Sequence, residues 1–301
     1  MSTQEVGRPR SRSRWKVGRL ATGGVIVVLY LSIIALVAAF EGRLIFPAPA
    51  QYVANTPEVA GLAFRDLHIP VDGKSYEHAW WIPSPQPNAK VIVYFHGNGE
   101  VLDEEGSREV PLFHQTGANL LMVEYRGYGS SSPRATTGVT MGEDARAAVR
   151  YLEQERHIPV SDIVICGWSI GTGVATQLAV ETPGAAGLML ISPVASTADV
   201  ANQSWLFRYL LRPSQWLRHD NDFDNKDKIG SIRMPVLIMT GTEDQIAPPW
   251  MARELYQRAG GPKTIQLIQG SDHNGIMENR DGISLRQMQK FVASLPAGAG
   301  I

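Results

Sequence analysis

Ser169 stands in Gly167-Trp168-Ser169-Ile170-Gly171, a G-x-S-x-G run with an apolar strand candidate before it and a helix candidate after it. Glycines on both sides suit a tight strand-to-helix turn in which the two backbones pass close together and the serine hydroxyl is presented at the tip. A serine hydroxyl is a weak nucleophile until a base removes its proton and a third group orients that base. Of the seven histidines, His273 in Gly270-Ser271-Asp272-His273-Asn274-Gly275 lies just past the last strand candidate. Asp244 in Gly241-Thr242-Glu243-Asp244-Gln245 lies just past the strand before that. Asp272 and Glu243 are rival acids. Asp272 adjoins the histidine, from where neighbouring side chains rarely meet, and Asp244 holds the more usual place after the strand. Taken singly, a serine in a glycine-rich turn, a late histidine and an aspartate after a strand are ordinary turn, surface and cap residues. Their occurrence together, in order, at three strand ends points to nucleophilic acyl transfer.

That chemistry also needs donors for a developing oxyanion. The Ile170 N–H sits at the start of a helix, where negative charge is favoured. A second glycine-flanked turn, His96-Gly97-Asn98-Gly99, follows the strand candidate Val91–Phe95, and its Asn98 N–H is the expected second donor. His96 is expected to buttress that loop rather than act as a base. The loop Tyr125-Arg126-Gly127-Tyr128-Gly129-Ser130-Ser131 reads as a scaffold turn below the site or as a substrate contact. The single cysteine, Cys166, lies in an apolar strand and reads as core. No Cys/His spacing resembles a zinc site, and the chemistry requires no cofactor.

These turns must be held by a sheet. The chain has 301 residues, 44% hydrophobic and 19% charged, with 29 Gly and 19 Pro, a composition of packed globular protein. A formal net charge of -1 gives no broad attraction to nucleic acid. Leu67–Val71 and His78–Ile82 predict a Pro-punctuated antiparallel opening. From Lys90 onward, strand candidates at Val91–Phe95, Asn119–Tyr125, Asp162–Gly167, Gly187–Ser192, Val236–Thr240 and Thr264–Ile268 alternate with helices at Gly142–Arg156, Thr172–Glu181, Met251–Ala259 and Ser284–Leu295. Near-continuous apolar strands separated by helices predict an α/β fold with a mostly parallel central sheet covered on both faces.

The order Ser169, Asp244, His273 and the motifs at 96–99, 125–129 and 167–171 resemble the serine α/β-hydrolase fold, and within it the ABHD-type membrane hydrolases. The resemblance covers residues 60–296. It implies the triad, the two oxyanion donors and an enzyme that cleaves acyl esters or thioesters, including lipid-like ones. Relatives that are serine peptidases, or that bind ligands without catalysis, leave those two alternatives open, although Gly97-Asn98-Gly99 departs from the Gly-Gly-Pro-Gly loop of prolyl-aminopeptidase types. An insertion at about 197–232, rich in Trp205, Phe207, Tyr209, Leu210, Leu211, Trp216 and Leu217, is either a lid over the site or a stripe packed in the core.

The N-terminus adds a membrane expectation. Arg8, Arg10, Arg12, Arg14, Lys16 and Arg19 form a basic tail over residues 1–19, and the uncharged Leu20–Phe40 follows. As a helix these residues rise about 31 Å, close to the roughly 30 Å hydrocarbon core of a bilayer. The positive-inside rule places the tail in the cytoplasm and the catalytic domain on the far side. Residues 41–59 then serve as a linker and 297–301 as a short tail. Val37 and Ala39 also form a small-residue cleavage site, so a secreted product of signal cleavage is the alternative.

Overall fold

The computed structural model describes residues 12–48, 55–102, 108–205, 207–210, 213, 220–278 and 280–296, with side chains described from residue 22. Residues 1–11 of the basic tail, Leu211, Trp216 and Leu217 of the insertion, and the tail at 297–301 lie outside that set.

Eight strands form one sheet: β1 Arg65–Pro70, β2 Tyr76–Ile82, β3 Val91–Phe95, β4 Asn119–Glu124, β5 Ile163–Trp168, β6 Gly187–Ile191, β7 Val236–Gly241 and β8 Lys263–Ile268. Their order is β1-β2-β4-β3-β5-β6-β7-β8. β2 pairs antiparallel with β1 and β4, and every other pairing is parallel. Each expected strand therefore exists, within a residue or two of its expected ends. Parallel neighbours require covered crossovers, which is why β3, β5, β6 and β7 are buried along their whole length.

Alternation sorts those side chains into two cores. Val91, Val93, Phe95, Ile163 and Ile165 face a layer built from helices Gly138–Gln154, Gly171–Glu181 and Pro249–Arg258. Ile92, Tyr94, Val164 and Cys166 face the other layer, with helices Glu109–His114 and Ile283–Ser294. Cys166 is wholly buried, and burial pushes its thiol pKa up, as befits a core residue.

One helix, Arg12–Ile45, contains the apolar run and continues past residue 40 into the segment expected as a linker. Within it Thr22–Ile45 is long and apolar enough to cross a membrane. Most of its large side chains are exposed, among them Val25, Val28, Leu31 and Leu36, but Ile34, Ala38 and Glu41 are buried. The spacing 34, 38, 41 is one helical face. That face docks onto the rest of the protein: Asn221 Nδ2 donates to Glu41 Oε2 at 3.3 Å, and the Tyr30 hydroxyl donates to the Tyr209 carbonyl at 2.8 Å.

Candidate active site

The turn between β5 and helix Gly171–Glu181 is as tight as its glycines allow. Ser169 adopts φ +52, a left-handed conformation that L-residues rarely hold. A Cβ at Gly167 would collide with the Gly171 carbonyl, and one at Gly171 would collide with the Phe95 carbonyl of β3. Any side chain at either position would push the strand and helix apart. The strained turn is held by Ser169 N–H donating to Ile191 O at 2.9 Å and by Thr172 N–H donating to Ser169 O at 3.1 Å.

His273 and Asp244 come to this turn from the ends of β8 and β7. Ser169 Oγ lies 2.9 Å from His273 Nε2, and His273 Nδ1 lies 2.8 Å from Asp244 Oδ2. All three residues are buried. The remaining oxygen, Asp244 Oδ1, accepts from the Ile246 and Ala247 amides at 2.9 and 2.8 Å, which fixes the carboxylate without help from the histidine. Trp168 stacks on the His273 ring at 5.8 Å. With Asp244 Oδ2 against Nδ1, the Nδ1–H tautomer is the one that leaves Nε2 to accept from the serine hydroxyl. The rival acids are engaged elsewhere. Asp272 Oδ1 accepts from the Gly275 amide at 2.8 Å, and Glu243 is exposed.

The His96–Gly99 loop passes close to the serine: a Cβ at Gly97 would meet Glu100 Oε2 at 3.0 Å, Trp168 Cε3 at 3.2 Å and Ser169 Cβ at 3.4 Å, so a larger residue there would crowd its neighbours. Asn98 and Ile170 line the same cavity as Ser169. His96 itself is wholly buried, its Nδ1 is 2.8 Å from Gly97 O, and burial lowers its pKa. A neutral imidazole packed on Tyr125 and Tyr128 at ring separations of 4.4 and 5.3 Å supports the loop from beneath. The 125–131 loop behaves as scaffold. Arg126 is fully buried in ion pairs with Asp144, Glu143 and Asp72, while the Tyr128 hydroxyl approaches Asn98 Oδ1 at 3.4 Å.

A cavity of about 460 Å³ opens over Ser169. Besides Asn98, Ser169 and Ile170, its walls come from Val194 in the loop after β6, from Thr197, Val200, Ala201, Phe207 and Leu210 in the described part of the insertion, from Ile246 after β7, and from Val37, Leu44 and Ile45 of the N-terminal helix. None of the described lining residues is charged. The insertion thus lies over the site, with Trp205, Phe207 and Tyr209 exposed on it. The contribution of the N-terminal helix is the part that sequence reading missed. Leu44 and Ile45 follow an apolar run, but nothing local in the chain links them to residues 194–210.

Comparison with known proteins agrees with this architecture. Residues 90–221 match the alpha/beta hydrolase fold family. An uncharacterized Mycobacterium tuberculosis protein is 28% identical over 253 residues, 83% of this chain and 86% of that one. The human alpha/beta hydrolase domain-containing protein 17B is 31% identical over 208 residues, 69% of this chain and 68% of that protein. Among solved structures, a Pyrococcus furiosus esterase superposes with a TM-score of 0.69 at 18% identity, covering 83% of this chain and 98% of the esterase.

Proposed function

The chain belongs to the alpha/beta hydrolase family, of the ABHD type, and on that premise we propose that it is a membrane-anchored serine hydrolase of carboxylic esters or thioesters. The observation that carries this reading is the relay from Ser169 Oγ through His273 to Asp244, at 2.9 and 2.8 Å, at the floor of an apolar cavity.

In the proposed reaction His273 Nε2 takes the Ser169 hydroxyl proton as Oγ attacks the acyl carbonyl. Asp244 holds the imidazole in its tautomer and stabilises the imidazolium that forms. The Ile170 and Asn98 amides receive the negative oxygen of the tetrahedral intermediate. Collapse expels the alcohol or thiol, protonated by His273, and leaves acyl-Ser169. A water then attacks the acyl carbon, gives its proton to His273, and releases the acid while the serine oxygen regains a proton. Among the described residues the cavity wall is uncharged and largely apolar, which supports an acyl substrate.

The test is a fluorophosphonate probe and a p-nitrophenyl ester. Wild type should label and turn over, and Ser169→Ala should do neither; undiminished hydrolysis in Ser169→Ala removes the assignment. For the membrane part, the basic tail before the apolar helix supports a cytoplasmic N-terminus. Protease added outside intact cells or spheroplasts should digest the catalytic domain, and a carbonate wash should not release the protein. A soluble product starting near Phe40 would mean a cleaved signal, and full protection an inverted orientation.

A further inference from the structure

We propose that the N-terminal helix is a wall of the active site as well as an anchor, and that the substrate is a single-chain acyl ester or thioester drawn sideways from the bilayer. This rests on the serine hydrolase reading above. The shape of the cavity carries it. Ser169, Val194 and Ala201 are buried at its floor, whereas Leu44 (59% exposed), Phe207 (48%) and Ile246 (56%) are exposed at its rim. An opening rimmed by three large apolar side chains is poorly suited to water and well suited to hydrocarbon.

Its depth fits the same reading. With Leu20–Phe40 filling the hydrocarbon core, Leu44 lies four residues further, a rise of about 6 Å, which is within the headgroup layer that brings a roughly 30 Å core to 40–45 Å in total. Val37, which also lines the cavity, is then still inside the hydrocarbon region. The cavity therefore bridges the two zones, as an ester does with its carbonyl at the boundary and its chain below. The insertion runs alongside the helix: the Tyr30 hydroxyl donates to the Tyr209 carbonyl at 2.8 Å, and Trp205 and Tyr209 are exposed apolar or amphipathic surface beside it. The volume matches such a guest: a methylene displaces roughly the volume of one water, about 30 Å³, so about 460 Å³ accommodates one chain of some fifteen carbons.

The experiment uses the full chain in phospholipid vesicles with p-nitrophenyl esters from acetate to dodecanoate, alongside labelling by a short-chain fluorophosphonate. Each methylene that the cavity accepts should raise kcat/KM by roughly fourfold. Leu44→Trp, or Val37→Trp as a second variant, should block part of the chain path and lower the dodecanoate-to-acetate ratio by more than about tenfold, equivalent to about two or more methylenes lost from the cavity or its mouth. Leu36→Trp, on an exposed face of the same helix, should keep the wild-type ratio. A ratio that is the same in all three variants and wild type, or a wild type that prefers acetate, overturns the inference. A wild type that fails to label at Ser169 overturns the hydrolase reading itself, and the inference with it.

Discussion

The relay and the cavity wall occupy the same few ångströms yet are built in opposite ways. Ser169, Asp244 and His273 each sit on the first turn after a strand, so sheet register delivers them and one or two backbone hydrogen bonds finish the job, as the Ile246 and Ala247 amides do for Asp244. The wall has no such local device. Val37, Val200, Leu210 and Ile246 meet through packing between distant segments. Chemistry placed by rigid strand ends can stay constant while the wall changes, so on the proposed reading substrate choice belongs to residues that do no chemistry.

The comparison breaks if relay substitutions merely shift substrate preference. Ser169→Ala should lower kcat by about 10⁶ for every ester, since members of such a relay act as a unit. Asp244→Asn should leave the fold intact and lower kcat by roughly 10⁴, because an amide fails to hold the required tautomer. Circular dichroism and ester turnover on the same preparation check both. A loss that varies a hundredfold with chain length would mean that Asp244 shapes the cavity instead.

A smaller effect should appear where the turn itself is altered. In Gly171→Ala the new methyl meets the Phe95 carbonyl, a backbone atom with little freedom to yield. A cost of about 3 kcal/mol, the upper range for overpacking, lowers Tm by roughly 6–12 °C in a domain of this size. Gly184→Ala places its methyl 3.6 Å from Val160 Cγ1, an ordinary contact, and should leave Tm unchanged. Equal melting of the two variants would show that the turn is not held by close backbone approach.

The same division explains what the sequence made legible. β3, β5 and β7 were readable because a strand covered on both faces must be apolar throughout, and the turn at 167–171 because its glycines answer a steric demand. The helix at Gly138–Gln154 starts four residues before the expected Gly142. Its cap is a reciprocal Thr137–Thr140 pair, with Thr140 in the place where glutamate or glutamine marks the usual box, so the start carries no familiar signature. Helices Glu109–His114 and Thr197–Asn202 are too short to show periodicity. The cavity wall was invisible for a different reason: that residues 44 and 210 line one cavity is a property of tertiary packing, which no local pattern encodes.

The smallest expected effect tests adjacency against geometry. Asp272 is next to the histidine in sequence, whereas Asp244 is 29 residues away. If proximity along the chain chose the orienting acid, Asp272→Asn would cost the 10⁴ expected of Asp244→Asn. Its carboxylate instead turns outward, exposed, and caps the first turn of the short helix Gly275–Glu278 through the Gly275 amide. Asparagine keeps a carbonyl oxygen able to accept that bond, so the stability change should stay within about 0.5 kcal/mol. Because neighbouring residues on such a turn point in different directions, the charge lost at 272 is screened by solvent before it reaches the imidazole. Turnover within about twofold of wild type is the expected result, as an exposed single charge moves a nearby transition state by less than about 0.5 kcal/mol. A loss at 272 larger than that at 244 would reverse the assignment of the acid and leave the two amide bonds to Asp244 as a loop brace alone.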